Sequence, residues 1–255
     1  QIYLEPVAAV LSRKTGHPVK ITMTRAEVHK DGDVHMQEYE IGKAKAPVKK
    51  VGKSKERGTV ITFQADPSIF ETVEYSWDKI VSHLRQQAYL VKGTRITVLD
   101  AREQKDLDLT NVFYMRHLGV EMPSQSYYFE EGLRSLIAFR NQYQSPIHKN
   151  IFYVDRTIED VQVEVALQYV DDISARLTAF ANNTYNPEGG THVTGFKTAL
   201  TRTLNAYAKK NNLGMKDESF TGDDVLEGIT AVVSVKLPEI QFEGQTKAKL
   251  GSVEA

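Results

Sequence analysis

The sequence predicts an α+β protein in two parts, and three observations carry that prediction. Val19, Ile21 and Met23 alternate with polar residues ahead of the tight-turn pair Asp31-Gly32, so residues 19–42 read as a β-hairpin. Val161, Val163, Val165, Leu167 and Tyr169 alternate with mostly polar partners, the pattern of a half-buried strand, and Ile229, Ala231, Val233, Val235 and Leu237 alternate cleanly as well. Between those two runs Val193, Phe196, Leu200, Leu204 and Tyr207 recur at helical spacing, which predicts one long helix buried through that face.

The remaining elements follow in order. Residues 43–57 hold seven basic side chains and Pro47, and read as a connector. A short strand over 59–63 ends at the turn Asp66-Pro67. A helix is expected over 76–90, capped by Ser76, with Trp77, Ile80, Val81, Leu84 and Ala88 on one face and Gly93 as its stop. Residues 96–99 form a strand, 101–126 are irregular and polar, and a second helix over 130–143 turns Leu133, Leu136 and Ile137 inward. A boundary near Ser145-Pro146 precedes a strand–strand–helix–strand unit: strands over 161–169 and 176–181, a helix over 191–211 capped by Thr191 and ended by Asn212 and Gly214, and a strand over 229–237 closed by Pro238. The expectation is a four-stranded sheet packed on that helix.

Composition limits the function classes. A chain of 255 residues can bury a real core as one large or two small domains. Hydrophobic residues at 41% and charged residues at 25% are those of a soluble globular protein. A net charge of −1 argues against nucleic-acid binding over the whole surface, so any DNA contact needs a local basic patch. The absence of cysteine excludes disulfides and thiolate metal sites and makes the cytoplasm the default compartment. The longest apolar runs, such as 231–235, are far too short to span a bilayer, so no membrane is expected. The chain opens on Gln1 rather than Met, which predicts a piece of a longer polypeptide.

Several residue patterns invite chemistry. Glu188-Gly-Gly-Thr191 precedes the long helix, and reads either as a structural turn with Thr191 as cap or as an anion site at a helix N-terminus. Lys197, Arg202, Lys209 and Lys210 form a dispersed basic face on that helix, suited to weak, salt-sensitive phosphate contact or to plain solvation. Gly52-Lys53-Ser54 looks like the end of a phosphate-binding loop, but Pro47 stands where its first glycine belongs and no buried strand precedes it. The basic run at 43–57 has no interleaved aromatics and reads as a solvated loop. His29 and His35 lack a third ligand at sensible spacing, so no metal site is assigned. Ser, His and Asp are too scattered for a triad.

Three segments together resemble the ATPase subunit of bacterial type II DNA topoisomerases, the gyrase B and topoisomerase IV B family. They are Tyr185-Asn-Pro-Glu-Gly-Gly-Thr-His-Val-Thr-Gly-Phe-Lys197 with its continuation to Asn205, Gly228-Ile-Thr-Ala-Val-Val-Ser-Val-Lys236, and Gln241-Phe-Glu-Gly-Gln-Thr-Lys-Ala-Lys-Leu250. Residues 29–42, Gly58-Thr59 with Ile61-Thr-Phe63, and 66–70 are similar to the closing strands of that family's ATPase domain. The resemblance implies the C-terminal part of a GHKL-type ATPase domain over 26–144, with an incomplete sheet exposing apolar surface. It implies a transducer domain over 145–255, ribosomal-protein-like with a left-handed βαβ unit. Residues 1–25 stand apart: 5–25, above all Leu11-Ser-Arg-Lys-Thr-Gly-His-Pro-Val-Lys20, are similar to molybdenum hydroxylase large subunits, and read as a foreign or artefactual segment.

The resemblance also implies roles. Lys247 reaches the γ-phosphate of ATP across a domain interface and Gln245 accompanies it, as the catalytic pair. An ammonium on a flexible stem suits a terminal phosphate where charge builds. Thr59, Thr246 and Lys30 match nucleotide-binding positions, and Lys197, with Arg202 beyond it, matches positions facing the cavity through which double-stranded DNA passes. The implied cofactors are ATP and Mg2+, and the implied partners are DNA, the topoisomerase A subunit and a second copy paired through the ATPase region. The family's glutamate base, its magnesium-binding asparagine and its Asp-x-Gly-x-Gly loop do not occur in the 255 residues, so the chain by itself is expected to be inactive. The other readings are a chaperone-type or mismatch-repair-type relative, and a non-catalytic chimeric or remnant interaction module.

Overall fold

Asp31 and Gly32 both take positive φ, 55° and 84°, and reverse the chain between β1 (Ile21–Lys30) and β2 (Asp33–Glu40). The register runs from Lys30↔Asp33 to Met23↔Glu40, and the expected hairpin is therefore present. The computed structural model describes residues 21–68, 70–103, 121–213 and 219–255. Residues up to 20, which make up most of the expected foreign segment, lie outside these, as do 104–120 of the irregular stretch and the helix stop at Gly214. The expected junction at residues 25 and 26 falls within β1, which pairs without interruption from Met23 onward.

The chain divides into two compact units, 1–77 with 100–123, and 78–99 with 124–255. In the first, β5 (Gly58–Ala65) pairs with β1, while β3 (Lys43–Ala44) and β4 (Lys49–Lys53) pair with β2. The basic stretch expected to be a connector thus supplies two strands. Asp33 explains part of this, because Lys50 and Lys53 each reach one of its carboxylate oxygens at 2.7 Å. These two ammoniums, mainly through their hydrogen bonds, hold the Asp33 carboxyl down to about 2. Lysines along an outer strand also suit a sheet edge, where charge discourages further pairing. Thr24, Ala26, Val34 and Tyr39 are buried, whereas Ile61 and Phe63 remain 44% and 53% exposed on β5.

In the second unit the strand order is β11-β10-β12-β9-β8, built from β8 (Phe152–Ile158), β9 (Val161–Tyr169), β10 (Arg176–Ala181), β11 (Thr184–Tyr185) and β12 (Ile229–Lys236). The sheet has five strands where four were expected. β10 and β12 run parallel, joined through the helix α3 (Thr191–Lys210), and the other pairings are antiparallel.

Helices cover both faces of this sheet. Phe196 and Leu200 of α3 pack on Val165, Leu167, Ile229, Ala231 and Val233. On the opposite face, Tyr89 and Leu90 of α1 (Trp77–Leu90) and Leu133, Leu136 and Ile137 of α2 (Leu133–Arg140) pack on Ala166, Phe180 and Val232. The half-buried reading of residues 161–169 is corrected accordingly: Glu164, Ala166 and Gln168 are buried together with Val165 and Leu167. Their polar groups are satisfied inside. Tyr153 donates to Glu164 at 2.9 Å, and Asn141 donates to Gln168 at 3.0 Å. The boundary read near Ser145-Pro146 falls inside this unit, because α1 and α2 supply its second helical layer. A two-stranded sheet of β6 (Ile96–Leu99) and β7 (Ser124–Tyr127) completes the unit, so the end of the stretch read as irregular is a strand.

Two details of α3 also differ from expectation. Tyr207, read as buried, is 59% exposed. Gly190 is the N-cap rather than Thr191, and no side chain caps the helix. Asn212, with φ 52°, follows the end of α3 as expected.

Candidate functional site

Residues 241–252 form a tight hairpin at one end of the five-stranded sheet. Glu243 donates its N–H to Lys249 at 3.0 Å, Gly251 donates to Gln241 at 2.9 Å, and Lys249 pairs with Glu243 at 3.0 Å. At the tip the Lys247 N–H donates to the Gly244 carbonyl at 3.1 Å, so Gln245 and Thr246 are the two central residues of a β-turn. Both are exposed. Lys247 closes the turn with φ 56°, a left-handed conformation uncommon outside glycine. Its side chain is half-buried, with Nζ 5.8 Å from the centre of the Phe242 ring. Among the described residues no carboxylate pairs with this ammonium. The hairpin is rooted in the core, because Leu250 is fully buried with Val235, Leu237 and Ala181.

The turn that opens α3 holds this hairpin along its length. Asn186 donates its side-chain amide to the Lys247 carbonyl at 2.8 Å, and Glu188 donates its N–H to Ala248 at 3.0 Å. Leu250 donates to Gly189 at 2.9 Å, and Thr191 returns its N–H to Leu250 at 3.2 Å. The Thr191 hydroxyl donates to the Ser252 carbonyl at 2.6 Å. Gly190 meets the Leu250 backbone so closely that a Cβ would sit 2.3 Å from the Leu250 carbonyl oxygen. Of the two readings of Glu188-Gly-Gly-Thr191, the structural turn is the one present. Its glycines admit a neighbouring backbone, and part of the helix N-terminus is spent on a carbonyl of the hairpin.

The other residues singled out in the sequence lie elsewhere. Thr59 is opposite Val28 in the β1–β5 ladder, and Lys30 is two residues beyond Val28, so Thr59 and Lys30 share a face of the first unit's sheet. Both are exposed. Lys197 and Arg202 are exposed on α3, and their separation of five residues turns them about 140° apart around the helix. Lys197 and Arg202 therefore form a dispersed pair rather than one stripe. Among the described residues no group of three or more His, Asp or Glu is placed to hold a metal ion.

Sequence reasoning missed Asn186 and the contact between Gly190 and Leu250. The paired glycines ahead of a helix were the available signal, but the partner sixty residues away has no local signature. It also missed a polar chain within the second unit. Lys92 donates to the Tyr153 hydroxyl at 3.1 Å, and Tyr153 donates to the buried Glu164, whose carboxyl is pushed up by burial.

Comparison with known proteins places this geometry. Residues 132–255, which hold the five-stranded sheet, α3 and the hairpin, match the family described as DNA gyrase B. The DNA gyrase B protein of Bacillus mycoides is 41% identical over 230 residues, 89% of this chain and 53% of the relative. The chain is thus similar to gyrase B proteins over nearly nine tenths of its length. The DNA gyrase B protein of Clostridium acetobutylicum is 43% identical over 89% of this chain and 33% of its own length. Among solved structures, the 43K ATPase domain of Thermus thermophilus gyrase B in complex with an aminocoumarin superposes with a TM-score of 0.75 at 32% identity. That match covers 92% of this chain and 60% of the other. The topoisomerase IV ATP-binding domain of Francisella tularensis shares the fold, with a TM-score of 0.71 at 23% identity over 92% of this chain and 59% of its own. The chain thus spans between a third and about half of these two curated gyrase B relatives. The family, the α+β class and the GHKL-type architecture read from the sequence are those found.

Proposed function

We propose that this chain is the part of an ATP-hydrolysing type II DNA topoisomerase B protein that couples nucleotide state to gate dimerisation and DNA strand passage. The observation that carries the reading is the tip of the 241–252 hairpin. It presents Gln245 and Thr246 to solvent beside a lysine that no carboxylate among the described residues pairs with, on a loop tied to a rigid sheet. In this reading Lys247 contacts the γ-phosphate, Gln245 steadies the same group, and Thr246 lies beside them. Thr59 and Lys30 are nucleotide-contacting residues in the same reading. An ammonium that meets a terminal phosphate in only one conformation makes hydrolysis depend on conformational state.

The residues present fit one portion of a nucleotide site, the terminal phosphate. They do not fit magnesium: the described residues offer no ligand cluster, and the sequence lacks the family's glutamate and asparagine positions. ATP and Mg2+ therefore belong to the intact enzyme, with the metal held by residues outside this chain. Lys197 and Arg202 face double-stranded DNA in the same reading. The topoisomerase A subunit and a second copy of the gyrase B protein are its protein partners, and the cytoplasm is its compartment. Among the described residues no helix is long and apolar enough to cross a membrane.

The test is ATP turnover. In a full-length gyrase B protein carrying this sequence, Lys247→Ala lowers kcat by about 10²–10³-fold, the scale for losing one fixed donor to developing charge. The 255-residue chain alone gives no turnover above buffer. Unchanged turnover in the variant, or measurable turnover by the chain alone, overturns the assignment.

A further inference from the structure

We infer that Asn186 and Thr191 are positioning residues for Lys247, and that the turn carrying them makes helix α3 and the lysine hairpin a single moving part. The role of Lys247 rests on the reading proposed above, but the positioning claim does not. A lysine at φ 56° holds that conformation only where its surroundings over-determine it. Here the surroundings are specific. Asn186 is 2% exposed, and its own N–H donates to Ala179 of β10 at 2.9 Å, which fixes it to the sheet. Its side-chain amide then reaches the Lys247 carbonyl at 2.8 Å. Further along the turn the Glu188 N–H binds Ala248, and Thr191 binds both Leu250 and Ser252.

Lys247, Ala248, Leu250 and Ser252 of the hairpin's second arm are thus all tied to the turn. The backbone of Lys247 is referenced to β10 through Asn186, and the segment that follows it is held to the first turn of α3 through Thr191. Only the lysine side chain, resting over Phe242, is left to move. The same α3 bears Lys197 and Arg202 on its exposed surface. Any contact that displaces α3 along its axis therefore carries the Lys247 backbone with it, without an intervening flexible linker.

The experiment compares Asn186→Ala, Asn186→Asp and Thr191→Val with the parent 255-residue chain by NMR and by limited trypsin digestion. Asn186→Asp and Thr191→Val keep side-chain shape while removing a donor. The expected result is a shift of the Lys247 Cα resonance away from its left-handed value in both Asn186 variants. Cleavage after Lys247 rises about tenfold, the scale of one lost hydrogen bond, while amides of Val232 and Val233 stay in place. Thr191→Val shows the larger shifts at Gly251 and Ser252. Unchanged Lys247 signals and cleavage in all three variants overturn the proposal. If Asn186→Ala fails to fold, the two shape-preserving variants decide it by the same readouts. A full-length protein then separates the two readings. With Lys247 as sensor, Asn186→Ala lowers kcat and leaves the KM for ATP unchanged. If Lys247→Ala leaves turnover intact, the sensing role fails while the spectroscopic result still judges the positioning.

Discussion

Gly190 and Leu250 touch backbone to backbone: a methyl group on Gly190 would lie 2.3 Å from the Leu250 oxygen and 2.5 Å from its nitrogen. Gly190 also has φ 136°, a conformation that L side chains rarely adopt. Gly190→Ala must therefore push the hairpin from the turn as well as strain its own backbone. The expected cost is about 3 kcal/mol of unfolding stability, from overpacking and strain together. A urea titration of the second unit measures it. Gly195→Ala on the same helix, where a Cβ meets nothing, is the control and is expected to be neutral or slightly stabilising.

His192 is 3% exposed, and among the described residues neither ring nitrogen has a hydrogen-bond partner. Burial lowers its pKa from 6.5 to about 4. A depressed histidine pKa means that the fold is favoured while the ring is neutral. The stability is fully present above the unfolded value of 6.5 and is lost as pH falls towards 4. The loss amounts to at most about 3 kcal/mol, at roughly 1.36 kcal/mol per pH unit. Stability measured from pH 7 to pH 4 falls in the parent chain, and the fall is shallower in His192→Leu.

Glu164 carries the opposite sign. Its carboxyl is raised above 4.5 by burial, although the Tyr153 hydroxyl donates to it. The fold is therefore favoured below that value, and the contribution is lost as pH rises through the raised pKa. Glu164→Gln keeps an oxygen to accept from Tyr153 and removes the charge. The variant is expected to melt higher at pH 8 and equally at pH 4. An equal melting temperature at both values would show that Lys92 and Tyr153 fully compensate the carboxylate.

Lys197 and Arg202 sit apart on α3, so the phosphate contacts proposed for them are independent. In a full-length gyrase B protein each substitution to Gln is expected to reduce the slope of log K against log salt by about one, with no change in sequence preference. Binding isotherms on two unrelated duplexes across a salt series provide the measurement.

The sheet strands of the second unit and α3 were legible because apolar residues recur there with periods of two and 3.6. β8 was not, because Phe152 and Ile158 at its two ends are 54% and 67% exposed and the strand hides little behind it. The two-sided burial of β9 was equally hidden. Glu164 and Gln168 read as solvent-facing until Tyr153 and Asn141, distant in sequence, arrive to satisfy them. Placing α1 with the first half failed for the same reason, since its contacts with Ala166 and Val232 leave no trace in the local pattern. At the candidate site the sequence named the residues on the tip, Gln245, Thr246 and Lys247. It left out what holds them, because a side-chain amide on a distant turn carries no periodic signal.

β12 is the central strand of its sheet, parallel to β10 on one side and antiparallel to β9 on the other. It is also the last strand of the unit to be synthesised. Until residue 236 has left the ribosome, β9 and β10 each offer an open edge and an uncovered row of valine, leucine and phenylalanine. A nascent chain stalled in α3 would hold every partner of that strand and not the strand itself. Premature stops between residues 191 and 236 should therefore yield aggregates rather than smaller folded species.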